Sequence, residues 1–246
     1  MLKLTTIAFA ACAWAVTAIP AAMAADLSAP VYEPVPVPPA PGGWYLRGDI
    51  GYKMYQDPSV KFEDSLAGVS FSNENLDDTG DIGVGIGYKF NRWLRADITA
   101  DYEWPADFHG TTPCGCAGTN IEEGQLSAWT GLLNVYADLG EWHGFSPYVG
   151  GGIGFSYLQM DNIRSLNADG TIVNTKDGND WNFAWALMAG VAYNFTPNLA
   201  LDVGYRYLNL GSVDSGRVPA GSGNGHFKYD DIAAHEIRVG MRYLMF

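Results

Sequence analysis

The sequence predicts an all-β chain that closes into an eight-stranded antiparallel transmembrane β-barrel. Three observations carry that expectation. Apolar and polar residues alternate in eight segments, short and long connections alternate between them, and no stretch beyond the first residues is apolar for the length of a spanning helix. The clearest segment runs from Leu94 to Trp104. Leu94, Ala96, Ile98, Ala100, Tyr102 and Trp104 share one face; Arg95, Asp97, Thr99, Asp101 and Glu103 share the other. Side chains alternate across a strand with period two, so this segment has an apolar wall and an ionic wall. It is long enough to cross a bilayer at a tilt.

Residues 1–24 read as a secretion signal. Lys3 supplies the positive start, Leu4 to Ile19 the apolar run, and Ala22-Met23-Ala24 the small-x-small pattern, so cleavage is expected after Ala24. The run is too short, and too soon followed by Pro20, to cross as a helix. Phe9-Ala10-Ala11-Cys12 faintly suggests a lipoprotein box but sits too early in the run. Residues 25–43 form a linker whose Pro-rich part, Ala29 to Gly43, is expected to be an extended periplasmic spacer, with cell-wall contact as the alternative.

The first strand, Trp44 to Tyr55, sets Trp44, Leu46, Ile50, Tyr52 and Met54 against Tyr45, Arg47, Asp49 and Lys53. The second, Asp81 to Phe90, sets Ile82, Val84, Ile86, Tyr88 and Phe90 against Asp81, Gly83, Gly85, Gly87 and Lys89. Asn91-Arg92-Trp93 turns tightly into the third. The fourth, near Leu126 to Leu139, opposes Trp129, Leu133, Val135 and Leu139 to Thr130, Asn134, Tyr136 and Asp138, with Leu132 interrupting the polar face. The fifth, Pro147 to Leu158, places Val149, Ile153, Phe155 and Tyr157 opposite Gly150, Gly152, Gly154 and Ser156. The sixth, Trp181 to Phe195, ends at the tight turn Thr196-Pro197-Asn198. The seventh carries Leu201, Val203, Tyr205 and Tyr207 against Asp202, Gly204 and Arg206; the eighth carries Ile237, Val239, Met241 and Tyr243 against Glu236, Arg238, Gly240 and Arg242.

Short turns near Asn91, Gly140 and Pro197 and long loops after Gln56, Pro105, Gln159 and Asn209 match the outer-membrane layout of short periplasmic turns and long extracellular loops. Open sheet edges cannot persist in lipid, so the sheet must close. A soluble barrel also alternates, with its apolar face inward. Glycines on the polar face of the second and fifth strands relieve crowding and put that face inside. Aromatic residues at both strand ends form the paired girdles of a membrane barrel.

The ionic set assigned to the lumen is Arg47, Asp49, Lys53, Lys89, Arg95, Asp97, Asp101, Glu103, Asp202, Arg206, Glu236, Arg238 and Arg242. Both signs fall on adjacent strands, and an unpaired buried charge costs several kcal/mol, so paired networks are expected to fill a narrow lumen. The alternative is a low-conductance pore whose bridges open transiently.

At Arg238-Val239-Gly240-Met241-Arg242-Tyr243-Leu244-Met245-Phe246 the chain resembles the C-terminal signal read by the barrel assembly machinery, carried by Gly240, Tyr243 and Phe246, with Phe246 one position beyond the usual spacing. Together with Trp44-Tyr45-Leu46-Arg47-Gly48-Asp49-Ile50-Gly51-Tyr52, Ser146-Pro147-Tyr148-Val149-Gly150-Gly151-Gly152-Ile153-Gly154 and Leu201-Asp202-Val203-Gly204-Tyr205-Arg206-Tyr207, it resembles small OmpA-type barrels. More narrowly, it resembles the surface-antigen, porin-like outer membrane proteins of alphaproteobacteria. The resemblance implies an abundant protein of the cell outer membrane serving envelope integrity and surface interaction. A peptidoglycan-binding domain, as in larger OmpA proteins, is not expected.

The full chain has a net charge of -13; removing Lys3 with the signal makes it -14, which is unfavourable for nucleic acid. The first long loop carries Asp57, Glu63, Asp64, Glu74, Asp77 and Asp78 against Lys61. These acids are either simply solvated or bridge through Mg2+ or Ca2+ to lipopolysaccharide phosphates. Asn167-Ala168-Asp169-Gly170 reads as a hairpin turn. Cys114 and Cys116 are too close in sequence for an easy disulfide, leaving a strained bridge or two thiols; they are far from a zinc pattern. An enzyme would need a histidine partnered near the outer mouth, and only His109 with Asp107, and His226 or His235 with Asp230 and Asp231, are available. None follows a motif, so no catalytic, cofactor or metal site is expected. The expected function is a non-enzymatic barrel that packs the membrane and displays surface loops of unknown partner. A narrow porin and a surface adhesin are the alternatives.

Overall fold

Strand formation follows the alternation and then outruns it. The computed structural model describes residues 42–64, 72–113, 118–217 and 225–245. The expected signal with Ala22 and Ala24, nearly all of the linker, Cys114, Cys116 and Phe246 lie outside the described residues. The strands are β1 (Gly43–Tyr55), β2 (Ser59–Asp64), β3 (Ser72–Leu76), β4 (Thr79–Lys89), β5 (Leu94–Pro113), β6 (Thr119–Asp138), β7 (Phe145–Leu166), β8 (Ile172–Asn174), β9 (Gly178–Asn194), β10 (Leu199–Asp214) and β11 (Gly225–Leu244). The ring runs β1-β4-β5-β6-β7-β9-β10-β11, all antiparallel, and pairing of β11 back onto β1 closes it. No described helix is long and apolar enough to cross a membrane.

The outward face is apolar. Ile50, Val84, Ile98, Leu133, Ile153, Leu187 and Val239 all project away from the barrel. Rings bracket this band. Trp44, Tyr88 and Phe90 meet edge to face at the short-turn mouth, with centroids 5.4 and 5.2 Å apart. Tyr102 packs on Trp129 (4.8 Å) and Tyr157 on Trp181 (4.9 Å) toward the other mouth. Such amphipathic rings favour the two membrane–water interfaces.

The short turns close by side-chain capping. Asn91 Oδ1 accepts from the N–H groups of Trp93 and Leu94, and Thr196 Oγ1 accepts from those of Asn198 and Leu199. Gly140 and Gly144 between β6 and β7 take φ of 118° and 85°, a region that glycine enters without Cβ strain.

Beyond the membrane the chain stays in strands where the sequence alone predicts loop. β5, β6 and β7 are 20 to 22 residues long. At about 3.3 Å per residue that is roughly 65–75 Å of strand, well beyond what a tilted span needs. The short strands β2, β3 and β8 pair onto β11, β5 and β7 in this outer part. The 167–170 turn does link β7 to β8, with the Gly170 N–H donating to the Asn167 carbonyl at 2.9 Å.

A bulge in β5 changes what faces inward. The β5–β6 register shifts between Glu103 and Ala106, so Trp104 and Pro105 both lie outside. Pro105 has no N–H to give the ladder, and bulges are where strands tolerate proline. Asp101 and Glu103 point inward below this bulge; Ala106 and Phe108 do so above it.

Candidate functional site

The inward face falls into tiers, each fixed by strand parity. Nearest the short turns, the Arg95 guanidinium lies over the rings of Tyr136 and Tyr148, at 4.1 and 4.6 Å from their centroids, and donates to Asp138 at 3.1 Å. Tyr45 donates its hydroxyl to Asp97 at 2.9 Å. Arg47 joins Asp49 and Asp97 and donates to the Tyr136 hydroxyl at 2.8 Å. Inward glycines make room for these rings. A side chain at Gly87 would strike the Tyr45 ring, one at Gly150 the Tyr136 ring, and one at Gly190 the Tyr148 hydroxyl. Cation–ring contact combined with charge-assisted hydrogen bonds makes this tier rigid.

The middle tier is a dense ion network. Arg238 bonds Asp49 and, at 2.6 Å, Asp101, with Asp81 at 3.4 Å. Arg206 bonds Glu236 and reaches Asp101 at 3.0 Å. Lys53 bonds Glu103 and contacts Glu236 at 3.1 Å. Asp49, Asp81 and Asp101 together form a set of carboxylates close enough to hold a metal ion. The Arg238 guanidinium, in contact with all of them, already supplies the positive charge that an ion would bring.

The structure thus brings together nearly the whole ionic set read from sequence. Arg242 and Asp202 meet at 3.7 Å at the lower mouth. Lys89 lines that mouth without an ion pair among the described residues. Asp81 and Asp138 belong to the network although the assigned set omitted them. Both sit at strand ends on the polar face, and parity alone identifies them.

Above the ions lies a tier that the sequence reading missed. Ala106, Phe108, Leu126, Leu132, Leu158, Met160, Ala184, Leu208, Leu210 and Ile232 pack into one buried apolar cluster across the lumen. Leu158, Leu208 and Leu210 are 0 % exposed. Beneath it, a small cavity of about 20 Å3 lies among Arg47, Asp202 and Arg238, room for about one water.

Two of the histidines lie on the outer surface of the wall. His235 faces outward between Tyr205 and Tyr207; its Nδ1 meets the Tyr205 hydroxyl at 2.5 Å and its Nε2 the Gln56 amide at 2.9 Å. It is a girdle residue. His109 and Asp107 lie on the outside of the wall with no serine lining the same groove. In the acidic first loop, Glu74 accepts from the Val60 N–H and Asp78 from the Tyr52 hydroxyl.

A closed ring, paired girdles and an ionic interior are the marks of an outer-membrane barrel, and a family model described as outer membrane protein beta-barrel domain matches residues 10–243. The chain belongs to that family. As a member it resides in the outer membrane of a Gram-negative cell. An uncharacterized protein of Brucella abortus (strain 2308) is 36% identical over 93% of this chain and 94% of its own length. A protein of Rickettsia bellii (strain OSU 85-389), described as a candidate adhesin, is 28% identical over 81% of this chain and 87% of its own length. Among solved structures, the outer membrane protein OprG of Pseudomonas aeruginosa shares the fold, with a TM-score of 0.53 and 16% identity, over 83% of this chain and 97% of its own.

Proposed function

We propose that this outer-membrane barrel is non-catalytic and closed to steady ion flow, and that it acts by holding a rigid attachment surface outside the cell. The observation that carries the reading is the pairing of two seals in series, an ionic network and an apolar cluster above it. Ions crossing the apolar tier would lose hydration without gaining ligands, which is the physics of a hydrophobic gate. A barrel sealed twice needs its outer strands for another purpose. β5, β6 and β7 extend as paired sheet past the girdle, so the surface they present is preorganised, which lowers the entropy cost of binding a partner. The description of the Rickettsia bellii relative as a candidate adhesin supports an attachment role. Support of envelope integrity, through packing among lipids and lipopolysaccharide, belongs to the same reading.

The test pairs two assays on one protein. Refolded protein in planar bilayers is expected to give no steady conductance. Cells displaying it are expected to bind a host-cell or bacterial surface, and replacement of residues 106–126 by a tight turn is expected to reduce that binding. Long-lived current steps would favour the narrow porin instead.

A further inference from the structure

Within the membrane the ring is continuous, but outside it the wall carries a seam. β1 and β4 pair from Gly43–Lys89 up to Lys53–Thr79. Above that level β2 turns to β11 and β3 to β5, and among the described residues β2 and β3 do not pair with each other. Their Cα atoms lie more than 8 Å apart at nearly every position, whereas paired strands sit roughly 4.8 Å apart. Each of the two strands therefore keeps one open edge.

Alternation along the strands fixes which backbone groups face the seam. The Val60 N–H, turned away from β11, donates to Glu74 Oε1 at 3.0 Å, and the Phe62 N–H two residues on points the same way. The Asp77 N–H donates to the Asp107 carbonyl, so the Leu76 N–H faces the seam from the other side. At this level one glutamate side chain spans the gap. Such a side chain and one hydrogen bond bridge about 8 Å at most. A single inserted strand requires two strand spacings, about 9.5 Å, so the seam is close to one strand wide. Open edges of this kind pair readily with an extended segment of another chain.

The two sides of the seam differ in chemistry. Val60 and Leu76 flank it on the inside, 4 % and 5 % exposed, as members of the apolar cluster. Asp57, Asp77 and Asp78 stand exposed at its base on the outside. The neighbouring cation, Lys61, is already bonded to Asp230 at 3.3 Å. A strand lying in the seam turns alternate side chains to an apolar interior and to an acidic exterior. We propose that the seam between β2 and β3 takes up an extended segment of a partner protein in which apolar and basic residues alternate. The Glu74 carboxylate, displaced from the Val60 N–H, then joins the acids that meet the basic residues. The assignment rests on reading the outer strands as an attachment surface and names the partner chemistry that this surface recognises. A second copy of this chain is disfavoured as the occupant, because at a net charge of -13 it brings the same acids to the same place.

The test is fluorescence anisotropy of labelled peptides titrated with the full refolded chain in detergent micelles. An octapeptide of alternating lysine and valine is expected to bind, more weakly as salt rises, and its glutamate–valine counterpart is not. N-methylation of the valines, which blocks one edge of the peptide, is expected to weaken binding about tenfold or more. V60P removes one N–H from the seam and leaves the β11 ladder intact, so it is expected to weaken binding similarly while keeping the heat-dependent gel shift of the folded barrel. The methylated peptide decides the matter even if V60P fails to refold. D57N/D77N/D78N is expected to weaken binding less and to flatten its salt dependence. Equal binding of the glutamate peptide, unchanged affinity on methylation or in folded V60P, or no binding at all overturns the proposal. So does a concentration-dependent dimer that V60P abolishes, which gives the seam to a second copy. Cell attachment by V60P separates the two readings: attachment that persists while peptide binding is lost leaves the attachment surface standing and removes the seam from it, whereas peptide binding without any attachment does the opposite.

Discussion

Arg206 on β10 and Asp101 on β5 are bonded at 3.0 Å from diametrically opposite positions in the ring. Four steps separate the two strands whichever way the ring is followed. A direct contact across the full diameter means that side chains, rather than solvent, fill this level. Glu236 holds the same guanidinium from β11, and Lys53 ties Glu236 to β1 and Glu103. The network is therefore a crosspiece between opposite walls of the ring.

Arg206→Met should destabilise the barrel by about 3–5 kcal/mol, since it strands Asp101 and Glu236 as buried charges beside fewer partners. Urea unfolding of the refolded protein in lipid vesicles measures this. Arg206→Met combined with Asp101→Leu should recover part of the loss, because both charges of one bond then leave together.

The apolar tier should be as costly to hollow as a soluble core. Leu158→Ala removes a side chain with 0 % exposure and is expected to cost about 2–5 kcal/mol in the same unfolding assay. Ile153→Ala, on the lipid-facing side of the same strand, should cost distinctly less, because no internal cavity is left behind.

Gly150→Val should block assembly of the short-turn end, since a Cβ there meets the Tyr136 ring and the Val135 carbonyl. The expected result is a sharp fall in the fraction that refolds, read as loss of heat-dependent gel mobility. Gly170→Ala, in the outer hairpin with open space around it, should refold, at the strain cost of its φ of 85°.

Glu122 gives the outer barrel a pH dependence of known sign. It faces inward above the membrane, where burial raises its pKa against the smaller opposing effect of hydrogen bonds from the Ser165 and Thr112 hydroxyls. A carboxyl raised in the fold contributes stability that is fully present below its unfolded pKa and is lost as pH rises through the folded value. Glu122→Gln should therefore raise the unfolding temperature at pH 8 and leave it nearly unchanged at pH 4, as followed by circular dichroism.

The membrane-spanning half was legible because lipid and lumen impose opposite chemistry on alternate residues. Leu94 to Trp104 states that rule in one line of sequence. The outer half was not legible for two reasons. Water outside and an apolar cluster inside invert the pattern there, so Leu208 and Leu210, which continue the parity of Asp202 and Arg206, resemble loop rather than lumen. The Trp104-Pro105 bulge then shifts the parity of β5, sending Phe108 inward where unbroken counting sends it out. Proline in a strand-like run was the available signal. The outer seam arises because β2 and β3 each pair elsewhere, which no single stretch of sequence displays.

The most direct measurement of the central claim is single-channel recording of the refolded full chain in planar bilayers containing lipopolysaccharide. A lumen sealed by Arg206–Asp101 and by the Leu158–Leu210 tier predicts a silent membrane at moderate voltage. Stable, repeated conductance steps from the folded protein would contradict it.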